Sequence, residues 1–256
     1  MRTSINIQSY KRAGKVDTLA IFPDATLWVH KFEIEDYKKA HPSNRIKELP
    51  DETRGNLPKV KNYIMDGLLN KGNVLFLDDD IKNINIWENK KARILSTEEL
   101  IRLIEKFSIM CEDWGFKLWG INVNQDKQCY REYTPFSTLS YVSSSFACFL
   151  SGCELRYDEK LPLKEDYDMT IMQCNKYRGL LRVNRMFYNK KSAENIGGCA
   201  TYRNIDKEKE QIILLQKKWG NKIVKVDSNN RSHSSKKQKN FTIDINPIIN
   251  VPISGV

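Results

Sequence analysis

The stretch NVLFLDDDIKNI, Asn73 to Ile84, decides the fold and poses the first chemical question. Val74 to Leu77 are uninterrupted apolar residues, the composition of a short strand buried on both faces of a parallel sheet. Asp78, Asp79 and Asp80 follow without a spacer. Carboxylates crowded at the end of a buried strand repel one another unless positive charge is held among them. Side chains alternate as a strand ends, so Asp78 and Asp80 can point the same way. Two carboxylates so placed suit a hard divalent cation, Mg²⁺ or Mn²⁺, whose open coordination positions accept the oxygens of a diphosphate. A solvated turn would account for a single aspartate. A run of them directly behind an apolar strand favours a metal site, although the run permits two registers and leaves open which carboxylates touch the ion.

The flanking sequence extends this strand into an α/β pattern. TSINIQSY, TLWVHKF and RIKELP read as strands, and IEDYKKAHP as a short helix stopped by Pro42. LPKVKNYIMDGLLNKG reads as a helix, with Pro58 in its first turn, Val60, Ile64 and Leu68 at helical spacing and Gly72 as its stop. Ser96 and Glu99 form a capping-box pattern ahead of an apolar stripe through Leu100, Leu103, Ile104, Phe107, Cys111 and Trp114. KLWGINVN, LSYVSSSFACFL and LLRVNRMFY read as strands. EDYDMTIMQCNKYRG and DKEKEQIILLQKKWG read as helices, the latter capped by Asp206 and stopped by Gly220. The expectation is a mostly parallel sheet flanked by helices, with a more irregular second half and ligands bound beyond the carboxyl ends of the strands.

With 256 residues and 40% hydrophobic content, the chain can bury a substantial core. Its net charge of +10 favours a polyanionic partner, nucleic acid or an anionic membrane face, over a neutral one. No apolar run reaches the roughly 20 residues of a spanning helix. MRTSINIQSYKRAGK has no secretory h-region, and the six cysteines lack CxxC pairing, so reduced thiols and a cytoplasmic location are expected.

The apolar strand ending in a DxD-type cluster resembles the metal site of nucleotide-sugar glycosyltransferases with the GT-A fold. INIQSYKR resembles their first strand and nucleotide-holding loop. RGNLPKVKNYIMDG resembles the helix before the DxD strand, and LKEDYDMTIMQC their acidic motif at the start of a later helix. Taken together, SYKRAGKVDTL, LFLDDDI, KEDYDM and NIGGC are similar to the glycosyltransferases associated with TET/JBP oxygenases, over about Ile5 to Cys199. Those enzymes act on hydroxymethylated pyrimidines in DNA, in bacteriophages and in the base-J pathway.

The resemblance implies roles for particular residues. Asp78 and Asp80 would bind Mn²⁺ or Mg²⁺ and the diphosphate, with Asp79 nearer the ribose or sugar. Ser9, Tyr10, Lys11 and Arg12 would meet the nucleotide, Tyr10 stacking on a uracil ring and the cations meeting phosphate; an exposed basic turn is the competing reading. Arg54, Asn56 and Lys61 or Asn62 would approach the donor, and Asp17 or Asp51 the base edge. Glu165 and Asp166, with Asp168, would carry the acid–base chemistry, Asp166 removing the acceptor's proton at a helix start whose dipole favours its charge. First-turn acid enrichment is the plainer account of the same residues. Gly197 and Gly198 in NIGGC would cover the donor, and His233 is a weakly placed candidate metal ligand. Arg182, Arg185, Arg231, Lys236, Lys237 and Lys239 would contact DNA phosphate.

The implied activity is a metal-dependent inverting transfer of a sugar, glucose from UDP-glucose, to the hydroxymethyl group of 5-hydroxymethylcytosine or 5-hydroxymethyluracil in DNA. For a phage-encoded enzyme the location would be the host cytoplasm. A GT-A transferase acting on a cell-surface polysaccharide is the alternative. The expected organisation is a catalytic domain over 1–225, with a nucleotide-sugar half near 1–90 and an acceptor half near 91–225. A basic segment over 226–256 would follow it, contacting DNA or ordering over the site.

Overall fold

The computed structural model describes residues 2–126, 130–190, 198–226 and 246–251. The first part of the chain forms β1 (Thr3–Gln8), β2 (Thr26–His30), α1 (Ile34–Ala40), β3 (Arg45–Leu49), α2 (Leu57–Leu68) and β4 (Asn73–Asp78). Next come β5 (Ile81–Glu88), β6 (Lys91–Ile94), α3 (Thr97–Asp113), β7 (Leu118–Asn122), the short β8 (Phe136–Ser137) and β9 (Phe146–Phe149). The chain then forms α4 (Glu165–Tyr177), β10 (Leu181–Lys190), α5 (Ile205–Trp219), β11 (Val224–Val226) and β12 (Pro247–Ile249).

The central sheet runs β3-β2-β1-β4-β9-β7-β10-β5-β6. Its first four strands are mutually parallel. β9 then enters antiparallel to both β4 and β7, β7 and β10 are parallel, and β10, β5 and β6 are antiparallel. The fold is therefore the expected α/β sheet flanked by helices, regular in its first half and mixed in its second. The sheet continues unbroken across residue 90, where the two functional halves were expected to meet.

β4 sits at the centre because its side chains serve both faces. Val74 and Phe76 join a cluster with Val60, Ile64 and Met65 of α2 and Met169 and Cys174 of α4. Leu75 and Leu77 join the opposite cluster, with Tyr37 of α1 and Leu100, Ile104 and Phe107 of α3. All four β4 residues are fully buried, each contributing about 1.5–3 kcal/mol relative to exposure. This anchors the acidic turn that follows.

The helix signals held with small shifts. Asn56 caps α2 by accepting from Lys59 N, and Ser96 and Glu99 form the complete capping box of α3. α2 ends at Leu68, before Gly72. Asn204, and not Asp206, caps α5, its side chain accepting from Lys207 N. LSYVSSSFACFL was expected as one strand, but only Phe146–Phe149 is strand. The preceding serines lack alternating apolar side chains, and two of their hydroxyls bond to carboxylates of the cavity. Two antiparallel strand pairs had no sequence-based expectation. β5 and β6 are joined through Asn89 and Lys90, both at positive φ (48° and 63°), the signature of a tight primed turn. β11 pairs with β12 in a separate small sheet.

Candidate active site

The carboxyl ends of β1, β2 and β4, the Tyr141–Ser145 loop and the start of α4 surround one cavity of about 440 Å³. Its lining includes Asp78, Asp79, Asp80, Glu165 and Asp166, with Arg12, Lys190 and Arg203 as its lysine and arginine residues. The two acidic motifs read separately in the sequence thus face the same space.

The Asp78–Asp80 turn is held from behind. Thr18 Oγ1 donates to the Asp78 carbonyl at 2.6 Å and accepts from Ile81 N at 3.0 Å, while Thr18 N donates to the Asp79 carbonyl at 3.2 Å. The side chains then diverge as a strand end requires. Asp78 Oδ2 accepts from Ser145 Oγ at 2.5 Å and from Lys190 Nζ at 3.0 Å. Asp79 accepts from Ser9 Oγ at 2.5 Å and from Arg12 Nη1 at 2.7 Å. Asp80 Oδ2 lies 4.0 Å from Arg12 Nη1. Burial alone would raise the Asp78 carboxyl, but Lys190, Lys61 and Ser145 outweigh it and hold it at about 2. Asp80 goes the other way: burial, and then the Asp78 charge, push it up to about 6. In this state Lys190 and Arg12 supply the positive charge that the acidic run demands.

The second acidic corner is built from hydroxyls and backbone. Glu165 Oε1 accepts from Ser144 Oγ at 2.9 Å. Asp166 Oδ2 accepts from the Tyr141 hydroxyl and from Ser144 N at 3.4 Å, and Oδ1 accepts from Tyr167 N at 2.9 Å. Beneath both lies Lys61, fully buried, donating to the Ser144 carbonyl at 3.1 Å. Burial lowers the Lys61 pKa, opposed by the charges of Glu165, Asp78 and Asp166. Burial and the Asp166 charge together raise Glu165 to about 7, despite Lys61.

Other expected site residues fall into distinct groups. Ser9 bridges Tyr37 and Asp79, and Tyr10 lines the cavity. Lys11 does not line it; its backbone N–H donates to Glu33 and its ammonium lies over the Tyr10 ring. Arg54 sits over the Phe32 ring at 4.1 Å. Asn62, expected at the donor, instead ties α2 to a neighbouring loop: its amide donates to the Tyr157 carbonyl and accepts from Tyr157 N. Asp168 is withdrawn from the chemistry by bonds from Lys218 and the Trp219 indole. Arg182 and Arg185, expected on DNA, bond to Asn184 and to the Trp87 carbonyl, and neither lines the cavity. Gly198 does line it; its N–H donates to the Tyr10 carbonyl, and a Cβ there would meet the Arg12 guanidinium at 3.2 Å. Gly197, Arg231, His233, Lys236, Lys237 and Lys239 lie outside the described residues.

Sequence reading missed several cavity residues: Gln8, His30, Tyr141, Ser144, Ser145, Lys190 and Arg203. Arg203 pairs with Glu208 at 3.1 Å, and the fully buried Glu208 also pairs with Lys164 at 2.7 Å. The only signal for these positions was adjacency: Lys190 lies two residues past a predicted strand, and the serine run lies within another.

A divalent cation fits the donor set. Asp78 and Asp80 both reach the cavity; Gln8 donates its Nε2 to Asp78 Oδ1 at 3.4 Å, and its buried Oε1 has no hydrogen-bond partner among the described residues. Among those residues no cluster of three or more His, Cys, Asp or Glu could hold a metal unaided, so an ion at Asp78 and Asp80 would take further ligands from a bound diphosphate.

No family model and no curated protein matches the chain. Among solved structures, the crystal structure of 4-diphosphocytidyl-2C-methyl-D-erythritol synthase is similar at 15% identity and a TM-score of 0.32, over 73% of this chain and 74% of that one. The likeness is too slight to bear on function. Among the described residues no helix is long and apolar enough to cross a membrane.

Proposed function

We propose that the protein is a metal-dependent glycosyltransferase that takes a sugar from a nucleotide-sugar and delivers it to a hydroxyl acceptor. The observation that carries this reading is the convergence of the Asp78–Asp80 turn and the Glu165–Asp166 helix start on one cavity at the carboxyl ends of parallel strands. Five carboxylates line that cavity against three lysine or arginine side chains. A diphosphate entering it needs added positive charge, and Asp78 and Asp80 are the residues to hold an ion there. When bound, the ion supplies Lewis-acid neutralisation of the departing diphosphate.

The chain's own residues do the rest. Arg12 and Arg203 border the space for phosphate oxygens and offer planar, charge-assisted donors. Tyr10 offers a ring face at the nucleoside end. Asp166 accepts the proton of the acceptor hydroxyl, its carboxylate oriented by Tyr141, Ser144 and Tyr167. Glu165, raised toward neutrality, adds little negative charge beside it. Inversion follows from a single displacement in which base and leaving group flank the sugar.

The acceptor that the sequence resemblance implies is the hydroxymethyl group of a modified pyrimidine in DNA, with UDP-glucose as donor. The net charge of +10 supports a polyanionic acceptor. The test is incubation with hydroxymethylcytosine or hydroxymethyluracil DNA, Mn²⁺ and a panel of nucleotide sugars, read by nucleoside mass spectrometry. A glycosylated nucleoside that disappears with EDTA is expected. Absence of both sugar transfer and donor hydrolysis across the panel would overturn the assignment; transfer to a non-DNA acceptor alone would overturn only its acceptor half.

A further inference from the structure

The cavity's Arg203 is held by a residue that does not line the cavity. Asn204 caps α5, so Arg203 is the residue before the cap and Glu208 the fourth residue of the helix. These two positions meet where a chain enters a helix, and an apolar pair there commonly fixes the angle of entry. Here the pair is charged: Arg203 Nε stands 3.1 Å from Glu208 Oε1. The other oxygen, Oε2, stands 2.7 Å from Lys164 Nζ. Lys164 occupies the cap position of α4, the helix that opens with Glu165 and Asp166. One carboxylate therefore joins the entries of two helices.

The Glu208 side chain is 0% exposed and that of Lys164 1%, whereas Arg203 retains 25% and lines the cavity. Taking a carboxylate and an ammonium out of water is costly, and an apolar pair of similar volume serves stability as well or better. Stability alone gives no reason for this cluster; geometry does. The Arg203 contact is made at Nε. The two Nη groups carry the other four N–H bonds of the guanidinium, the planar fork that meets phosphate oxygens. A carboxylate anchored at Nε sets the plane of that fork. The backbone is set as well: Tyr202 N and Arg203 N both donate to the Cys199 carbonyl, at 3.2 and 3.0 Å.

We infer that Glu208 is a positioning residue for the donor. Through Arg203 it aims a guanidinium at the diphosphate of the nucleotide-sugar, and through Lys164 it ties that guanidinium to the helix start bearing Asp166. The inference rests on the donor site proposed above and adds to it a residue that never touches the ligand. An unanchored arginine surrenders side-chain entropy on meeting phosphate; an anchored one has less to lose.

Calorimetric titration of the full chain with Mg²⁺ present, using the tightest-binding of UDP, CDP, ADP and GDP, tests this in wild type, Arg203→Ala, Glu208→Gln and the double variant. Arg203→Ala should weaken the diphosphate by about tenfold or more, and Glu208→Gln by on the order of tenfold, the worth of one hydrogen bond to a charged group. The double variant should bind no more weakly than Arg203→Ala, because Glu208 then has nothing to position. The matching nucleoside, which has no phosphate, should bind all of them alike. Additive losses, or a nucleoside that weakens in step with the diphosphate, would make Glu208 a structural residue and overturn the inference, as would wild-type affinity in Glu208→Gln. Arg203→Lys decides the matter should Glu208→Gln not fold. It leaves Glu208 and Lys164 paired and keeps the charge, but its single nitrogen cannot hold the carboxylate and present a planar fork as well. It should lose most of what Arg203→Ala loses; lysine binding the diphosphate as tightly as arginine overturns the inference and leaves the donor site standing. Failure of every diphosphate to bind wild type overturns both.

Discussion

The two acidic corners of the cavity satisfy their charge in opposite ways. At the Asp78–Asp80 turn, cations come to the carboxylates: Lys190 reaches Asp78 and Arg12 reaches Asp79. At the Glu165–Asp166 helix start, no lysine or arginine among the described residues forms an ion pair with either acid, and hydroxyl and backbone donors take that place. The nearest cation, Lys61, is fully buried and serves both corners at once. A carboxylate clamped by cations stays charged, as Asp78 does near 2. A carboxylate supported by neutral donors in a buried site can change its proton, as Glu165 does near 7. In the first corner Asp78 is suited to holding fixed charge against a ligand, while burial and the Asp78 charge raise Asp80 to about 6; the second corner is suited to exchanging a proton with one.

The most severe test of this division is Asp166→Asn. If the second corner does the proton transfer, the amide removes the base; with its oxygen in the Oδ2 position it keeps the bonds from Tyr141 and Ser144 and loses only the one from Tyr167 N. Transfer should fall by about 10²–10⁴-fold with donor affinity unchanged. Near wild-type transfer would place the base elsewhere and break the comparison.

Glu165→Gln sharpens it through stability. The folded-state pKa of Glu165, near 7, stands above its ordinary value of 4.5. The native state therefore holds the proton more tightly than the unfolded chain. The resulting stability is fully present below about 4.5 and lost as pH rises through about 7. Glutamine mimics the protonated form, so the variant should match wild type in acid and exceed it above pH 7, by up to about 3 kcal/mol. Melting curves recorded across that range check the sign; parallel curves would mean that the second corner is as fixed as the first.

The same contrast explains what the sequence disclosed. The central strand was legible because VLFL serves two apolar faces and has no other stable place. The two acid motifs were legible because carboxylates in such runs need a reason to be there. Their neutralisers were not. Lys190 lies 112 positions from Asp78 in the chain, and nothing local distinguishes it from the other lysines. The serines read as strand because their hydroxyl partners are remote. Asn62 and Asp168 misled for the converse reason: polar residues beside a motif look functional, and only the fold shows their bonds spent on a loop and on Trp219. The β5–β6 hairpin escaped because its turn carries Asn-Lys, where the usual signal is Asn-Gly.

The smallest expected effect probes the first corner directly. Lys190 Nζ stands 3.0 Å from Asp78 Oδ2, where a divalent ion on Asp78 and Asp80 would feel its charge. Two cations sharing one carboxylate repel, so the lysine competes with the metal in the absence of nucleotide. Lys190→Met removes the competitor and leaves the Ser145 bond to Asp78 in place. Affinity for Mn²⁺, followed by the loss of its free-ion paramagnetic resonance signal, should rise by roughly fivefold, about 1 kcal/mol of relieved repulsion at an exposed contact. A fall in affinity would mean that the ammonium holds Asp78 in its ligating position. No binding to either protein would mean that Lys190 and Arg12 are themselves the permanent positive charge of this corner. Its fixed charge would then be complete without an ion, and the donor's diphosphate would have to be met by the cavity's own cations.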